Sequence, residues 1–386
     1  MTAAAPAVGA PIAVYVHWPY CARICPYCDF NVVRDRGQAE QGALAAAIIA
    51  DLQGQAALTG PRSLGSIFFG GGTPSLMRPD WVAAIIAATR DLWPSDVAPE
   101  ISLEANPTDA EADRFAALAD AGVARLSLGL QSTDDAALKF LGRNHDAAEA
   151  RRAADMAARR FPRLSIDLIY ALPGQTVASW AGELRGAVGL GAEHVSPYQL
   201  TIEPGTAFDR AVGRGAITPL DSDQAAALYE TTQDVLTAAG FDAYEVSNHA
   251  RGINARSRHN LAYWTGQDYV GVGPGAHGRL TVNGERVATE AARRVGDYIA
   301  RVGQTGAGFG EPEALSPRDV ALERLLMGLR IDQGVPWAAL APLALSAALP
   351  QVQDLAAQGL VTAGPTTLAA TRAGRTVLDG IIRGLV

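Results

Sequence analysis

The chain has 386 residues, 48% of them hydrophobic, and a formal net charge of −8. That much apolar material builds a large core and excludes intrinsic disorder, and the acidic balance argues against a general nucleic-acid binder. There is no uncharged apolar run of about 18 residues, and the Ala/Pro-rich start lacks the basic segment of a secretory leader, so a cytoplasmic protein that does not span a membrane is expected.

Residues 1–11 read as a loose N-terminus. Ile12 to His17 (I-A-V-Y-V-H) is a branched and aromatic run that predicts a strand, and it leads directly into Cys21-Ala-Arg-Ile-Cys25-Pro-Tyr-Cys28, which holds every cysteine of the chain. Three thiols this close in sequence cannot pair off as disulfides; they suit one inorganic group wrapped by a loop. Tetrahedral zinc would take His17 as its fourth ligand. A four-iron, four-sulfur cluster would leave one iron open to a small molecule. Incidental core cysteines would more often be scattered along the chain.

An Ala-rich segment at about 37–58, with Leu44, Ile48 and Leu52 on one stripe, predicts a helix. The strand Ser66 to Phe69 runs into Gly70-Gly71-Gly72-Thr73, which follows neither the Walker nor the Rossmann pattern. Strands and helices then alternate: 100–105 with 108–121, 125–131 with 134–141 and 146–160, 164–170 with 176–190, 194–201 with 222–239, and a closing strand at 241–247. Such alternation predicts right-handed βαβ units and an α/β architecture, a partial parallel (β/α) barrel over 12–302. Period-two alternation puts Glu104, Gln131 and Asp167 on polar strand faces near the barrel mouth, a lining that suits a polar guest.

Glycines and Pro312 mark 303–315 as a linker. Ser316-Pro317 opens a helix, and the helices, short hairpin and final helix of 316–386 predict a small, mainly helical, winged-helix-like C-terminal domain. Its Arg372, Arg375 and Arg383 are a thin basic set for DNA, which favours a scaffolding role.

Several motifs follow one another in a specific order: Tyr15-Val-His-Trp-Pro-Tyr-Cys, Gly-Gly-Gly-Thr-Pro-Ser, Leu-Glu104-Ala-Asn-Pro, Arg-Leu-Ser-Leu-Gly-Leu-Gln131-Ser, Leu-Gly-Arg143-Asn-His, Asp167-Leu-Ile-Tyr-Ala-Leu-Pro-Gly-Gln-Thr and Tyr198-Gln-Leu-Thr-Ile-Glu-Pro-Gly-Thr. With the C-x3-C-x2-C loop, they make nearly the whole chain resemble the radical S-adenosylmethionine (SAM) superfamily. The resemblance is to the branch that holds the oxygen-independent coproporphyrinogen III dehydrogenases and their haem-chaperone relatives. It implies a [4Fe-4S] cluster on Cys21, Cys25 and Cys28, and SAM on the open iron with contacts from Tyr15, Gly71, Gly72, Thr73, Glu104, Gln131, Arg143 and Asp167.

Two departures separate the branches. The dehydrogenases resemble C-x3-C-x2-C-x-C, whereas Phe30 stands two after Cys28 here, and only 20 residues precede the first cysteine. His259-Asn-Leu-Ala-Tyr-Trp264 matches the H-N-x-x-Y-W motif of the chaperones, which implies haem binding by His259, Tyr263 and Trp264. His277, in a glycine-rich turn, is a second ligand candidate, and His145, His194 and His249 read as structural. The resemblance therefore implies a chaperone that binds haem and delivers it to client apo-haem proteins, without coproporphyrinogen dehydrogenase activity. The alternative is the anaerobic coproporphyrinogen oxidase. It leaves room for a flavodoxin- or ferredoxin-type electron donor, a second copy of the chain and a peripheral membrane contact, with no nucleic-acid partner.

Overall fold

The structure, a computed structural model, describes residues 9–35 and 37–386; most of the expected loose terminus, 1–8, lies outside them. Six parallel strands make half of a twelve-stranded sheet: β1 (Gly9–Trp18), β2 (Arg62–Gly71), β3 (Glu100–Ala105), β4 (Arg125–Gln131), β5 (Arg163–Tyr170) and β6 (His194–Gln199). β1 starts earlier than its apolar run because Arg62 Nη1 donates to the Ala10 carbonyl at 3.2 Å. These strands are buried almost continuously, with Val14, Val16, Ile67, Phe69, Leu103, Leu126, Leu128 and Ile166 excluded from solvent. Parallel strands read this way because the crossover helices cover them.

The chain departs from expectation at 241–247. Instead of a further parallel strand, β7 (Asp242–Glu245) and β8 (Asn248–Ala250) form an antiparallel hairpin against β6. The Glu245 carboxylate accepts from Ser247 N–H at 2.8 Å and from Asn248 Nδ2 at 2.6 Å, closing a turn too short for a parallel crossover. The seventh parallel strand is β9 (Tyr269–Val272), which returns to the free flank of β1. It is followed by antiparallel β10 (His277–Val282), β11 (Glu285–Glu290) and β12 (Glu313–Ala314). The ends of the sheet, β7 and β12, are not paired with each other among the described residues, so the barrel is partial.

The helix expected over 108–121 is interrupted after Ala112 and resumes at Phe115. Arg114, at the break, reaches across to donate to the Leu76 and Met77 carbonyls at 3.1 and 2.7 Å. The segment 303–315 contains the end of the helix Val295–Thr305 and β12, so it is tied into the edge of the sheet.

The C-terminal region has its own core, in which Leu325, Leu329, Val335, Leu340, Val352 and Leu368 are fully buried. Its opening helix, Pro317–Gly328, is capped by Ser316, whose Oγ accepts from Asp319 N–H at 3.2 Å. The segment just after this helix docks on the barrel through Arg330 and Glu245 of β7 at 2.9 Å and through Asp332 and Arg256 at 2.6 Å. Arg372 pairs with Asp234 at 2.5 Å and Arg375 donates to the Ala243 carbonyl at 2.9 Å, so both serve docking. No described helix is long and apolar enough to cross a membrane.

Candidate functional site

The C-terminal ends of β1–β6 open onto a cavity of about 620 Å³. Tyr15, Gly71, Glu104, Gln131, Asp167 and Tyr198, one from each strand in turn, line it, and all three cysteines close its mouth. Strand pleating is what brings them together, since residues two apart share a face and neighbouring strands are in register, as at Gly129 and Asp167.

The cysteine loop is held from below. Tyr20–Cys21 bridges Val33–Arg34, and the Cys28 N–H donates to the Cys25 carbonyl at 3.2 Å. His17 is committed on both ring nitrogens, Nδ1 lying 3.0 Å from the Tyr15 hydroxyl and Nε2 2.9 Å from the Asn31 carbonyl. It is a strut of the loop, with no lone pair left over for zinc. Asn31 Nδ2 donates to the Pro274 and Arg293 carbonyls at 2.8 and 2.9 Å. Gly273, at φ 100°, passes so close to the loop that a Cβ there would lie 2.2 Å from the His17 carbonyl oxygen. The glycine-rich turn thus seats the cysteine loop. His277 is exposed on β10 and is not among the residues lining the cavity.

The remaining predicted SAM residues meet around the thiols. Glu104 accepts from the Gly71 N–H at 3.1 Å, and Thr73 Oγ1 accepts from Asn106 Nδ2 at 3.1 Å. Gly72 lies against the Pro19 and Tyr20 carbonyls, with no room for a Cβ. Arg143 donates toward Cys25 Sγ and the Tyr27 hydroxyl, both at 3.4 Å, and to the Gly129 carbonyl at 3.1 Å. Asp167 accepts from Ser127 Oγ at 2.8 Å and Ser165 Oγ at 3.3 Å.

This donor set fits a cluster and a cationic nucleotide. Burial pushes the Cys21 thiol up to about 11 and also raises Cys28, so free thiolates are disfavoured until a metal supplies positive charge. Three thiols around one mouth suit a cubane that leaves one iron open. Burial, reinforced by Asp167, raises the Glu104 carboxyl to about 8, and burial raises Asp167 as well. A sulfonium or ammonium group would relieve both.

Sequence reasoning overlooked Arg125. It is 2% exposed, lines the cavity and leaves its Nε without a partner. The signal was present, since Arg125, Ser127, Gly129 and Gln131 are two apart on one strand and share its polar face. Phe68 and Tyr198 were also overlooked, for the same period-two reason.

The H-N-x-x-Y-W segment forms the helix Arg258–Trp264, packed on the cavity face of β2. His259 is 1% exposed, shares its Nδ1 with Ser66 Oγ at 3.0 Å and leaves Nε2 without a partner. Its backbone N–H donates to Glu100 Oε1 at 3.3 Å. Tyr263 stands edge-on to it at 4.8 Å, and both line the cavity. Trp264 is not among the lining residues; Arg330 of the C-terminal region lies 4.9 Å from its ring. His145, His194 and His249 are buried against the Leu130 carbonyl, Tyr244 and Gln233 respectively.

Comparison with known proteins agrees with this geometry. Residues 15–184 match the model of the radical SAM superfamily, and residues 315–377 that of the HemN C-terminal domain. The chain is 41% identical to the mitochondrial radical S-adenosyl methionine domain-containing protein 1 of Bos taurus, over 97% of this chain and 87% of that one. It is 34% identical to the heme chaperone HemW of Escherichia coli, over 96% and 97% of the two chains. The HemW of Mycobacterium tuberculosis is 36% identical over 99% and 96%. Among solved structures, coproporphyrinogen III oxidase (HemN) from Escherichia coli shares the fold at a TM-score of 0.79 and 22% identity, covering 97% of this chain and 90% of that one. The chain therefore belongs to the radical SAM family that includes HemW and radical S-adenosyl methionine domain-containing protein 1, a family whose cofactors are a [4Fe-4S] cluster and SAM.

Proposed function

We propose that this protein is a haem chaperone: it binds haem together with a SAM-ligated [4Fe-4S] cluster and hands haem to apo-haem proteins. The observation that carries the reading is its similarity, over almost its whole length, to proteins named heme chaperone HemW. The cysteine loop agrees, because it ends in Phe30, which is 60% exposed, where the coproporphyrinogen dehydrogenases resemble a fourth cysteine. Cys21, Cys25 and Cys28 hold the cluster, and Tyr15, Gly71, Gly72, Thr73, Glu104, Gln131, Arg143 and Asp167 hold SAM. When bound, the pair supplies one-electron chemistry at the sulfonium. The three free thiols suit the reducing cytoplasm.

His259 Nε2 is the axial ligand proposed for the haem iron, since it is the one nitrogen of that ring left unengaged. His259 lines the nucleotide cavity, so haem and SAM are expected to influence each other's binding. The test is anaerobic reconstitution, followed by haem titration with and without SAM and a turnover assay on the same sample. Stoichiometric haem binding without conversion of coproporphyrinogen to protoporphyrinogen supports the chaperone; turnover with SAM and a reductant overturns it. A His259→Ala variant with undiminished haem affinity removes the ligand assignment alone.

A further inference from the structure

A second cavity, of about 360 Å³, lies between the barrel and the C-terminal helix Pro317–Gly328, on the other side of Tyr263 from the nucleotide cavity. Tyr263 lines both spaces, and its ring packs edge-on against Tyr269 at 4.3 Å. Three guanidinium groups, those of Arg279, Arg286 and Arg324, face this cavity, against the two carboxylates of Asp268 and Glu323.

The two acids are already committed. Asp268 pairs with Arg62 at 2.8 Å and with Arg286, and also accepts from Thr281 N–H and Oγ1 at 2.8 and 2.9 Å. Glu323 takes Arg279 in a forked pair at 2.8 and 2.9 Å. Arg324 has no carboxylate partner among the described residues. It donates to the Trp264 carbonyl at 3.0 Å, and Gly266 lets it lie flat, since a Cβ there would be 2.5 Å from its Cδ. Burial lowers its pKa, and the neighbouring Arg286 lowers it further. A half-buried guanidinium beside another cation, with donors to spare, is a carboxylate receptor. Pro11, Val320, Met327 and the two tyrosine rings make an apolar part of the wall, beside Gln267 and Thr281.

We infer that this arginine-lined pocket receives the propionate edge of haem, with Arg324 as the principal contact. Haem has the required chemistry, a flat apolar body carrying two carboxylates on one edge. The inference rests on the haem-binding reading above but not on His259 as the iron ligand: it locates the anionic edge outside the nucleotide cavity, with Tyr263 lining both spaces. Arg324 is a specificity residue here: it recognises the carboxylates and leaves the iron to another group.

The experiment uses the full chain, reconstituted anaerobically and titrated with haem and with haem dimethyl ester, which keeps the ring and iron but has no negative edge. Wild type is expected to bind the ester at least tenfold more weakly than haem. Arg324→Gln is expected to bring haem to the ester's affinity while leaving the ester's unchanged, with Arg324→Lys between. Thermal melting, cluster content and SAM affinity should match wild type. Equal affinity of wild type for haem and ester overturns the pocket alone, as does an equal loss for both ligands in Arg324→Gln. Wild type that binds neither ligand overturns the haem-binding reading itself, and the pocket with it.

Discussion

His259 stacks on Phe68, with ring centroids 5.0 Å apart and planes inclined by 22°, at the base of the cavity that carries the cysteines at its mouth. One ring from the C-terminal third of the chain and one from β2 thus form a single floor. The motif helix is therefore part of the cavity's wall.

Replacing any one of Cys21, Cys25 or Cys28 with serine should abolish the cluster while leaving the fold intact. Serine has nearly the shape of cysteine, and Cys25 and Cys28 are only half-buried. Iron and sulfide analysis after reconstitution should fall to background, with far-ultraviolet circular dichroism unchanged. A variant that retains full iron would show that the thiol is no ligand.

SAM affinity should rise with pH between about 6 and 8. Glu104 is protonated up to about 8 in the free protein, and a cationic ligand favours its ionised form, so binding must expel the proton and gains up to tenfold per pH unit below that value. Calorimetry in buffers of different ionisation enthalpy would count the proton released. Glu104→Gln should bind more weakly and with a flat pH profile.

Acid should weaken the fold through its buried histidines. Burial lowers His249 and His259 to about 3 and takes His194 well below its usual value. The unfolded chain, with histidines near 6.5, binds more protons at these sites, so their contribution to stability is lost as pH falls from about 6.5, against an opposing gain from the raised Glu104 carboxyl. Each of the two costs on the order of 2 kcal/mol by pH 5. Urea unfolding at pH 7 and pH 5 would measure this, and His249→Gln should reduce the difference.

Asn31→Ala should loosen the cysteine loop. Two hydrogen bonds to the Pro274 and Arg293 carbonyls disappear, a loss of roughly 1–3 kcal/mol. The reconstituted cluster should then bleach faster under a chelator, with SAM still bound. A bleaching rate equal to wild type would show that the turn does not support the loop.

The cysteine spacing, the branched run before it and the period-two faces of β3 to β5 carried the cysteine loop, the parallel sheet and most of the cavity lining. Such patterns are local: pleating alone decides that Arg125 and Gln131 share a face, whatever lies opposite. The turn at Glu245 is local too, but a carboxylate bonded to the backbone N–H two residues on leaves no mark in hydrophobic periodicity, and the hairpin was read as a parallel strand.

What the amino-acid order determined by itself was which residues belong to the cluster loop and which side of each strand is polar. The tertiary structure alone decided that Asn31 meets Pro274 and Arg293, 243 and 262 residues away, and that His259 meets Ser66 across 193. It also decided that Arg279, Arg286 and Arg324 surround one hollow. Contacts over such separations arise from how sheet and helices pack, and packing depends on the shapes of all the surfaces together, which no short window of sequence contains.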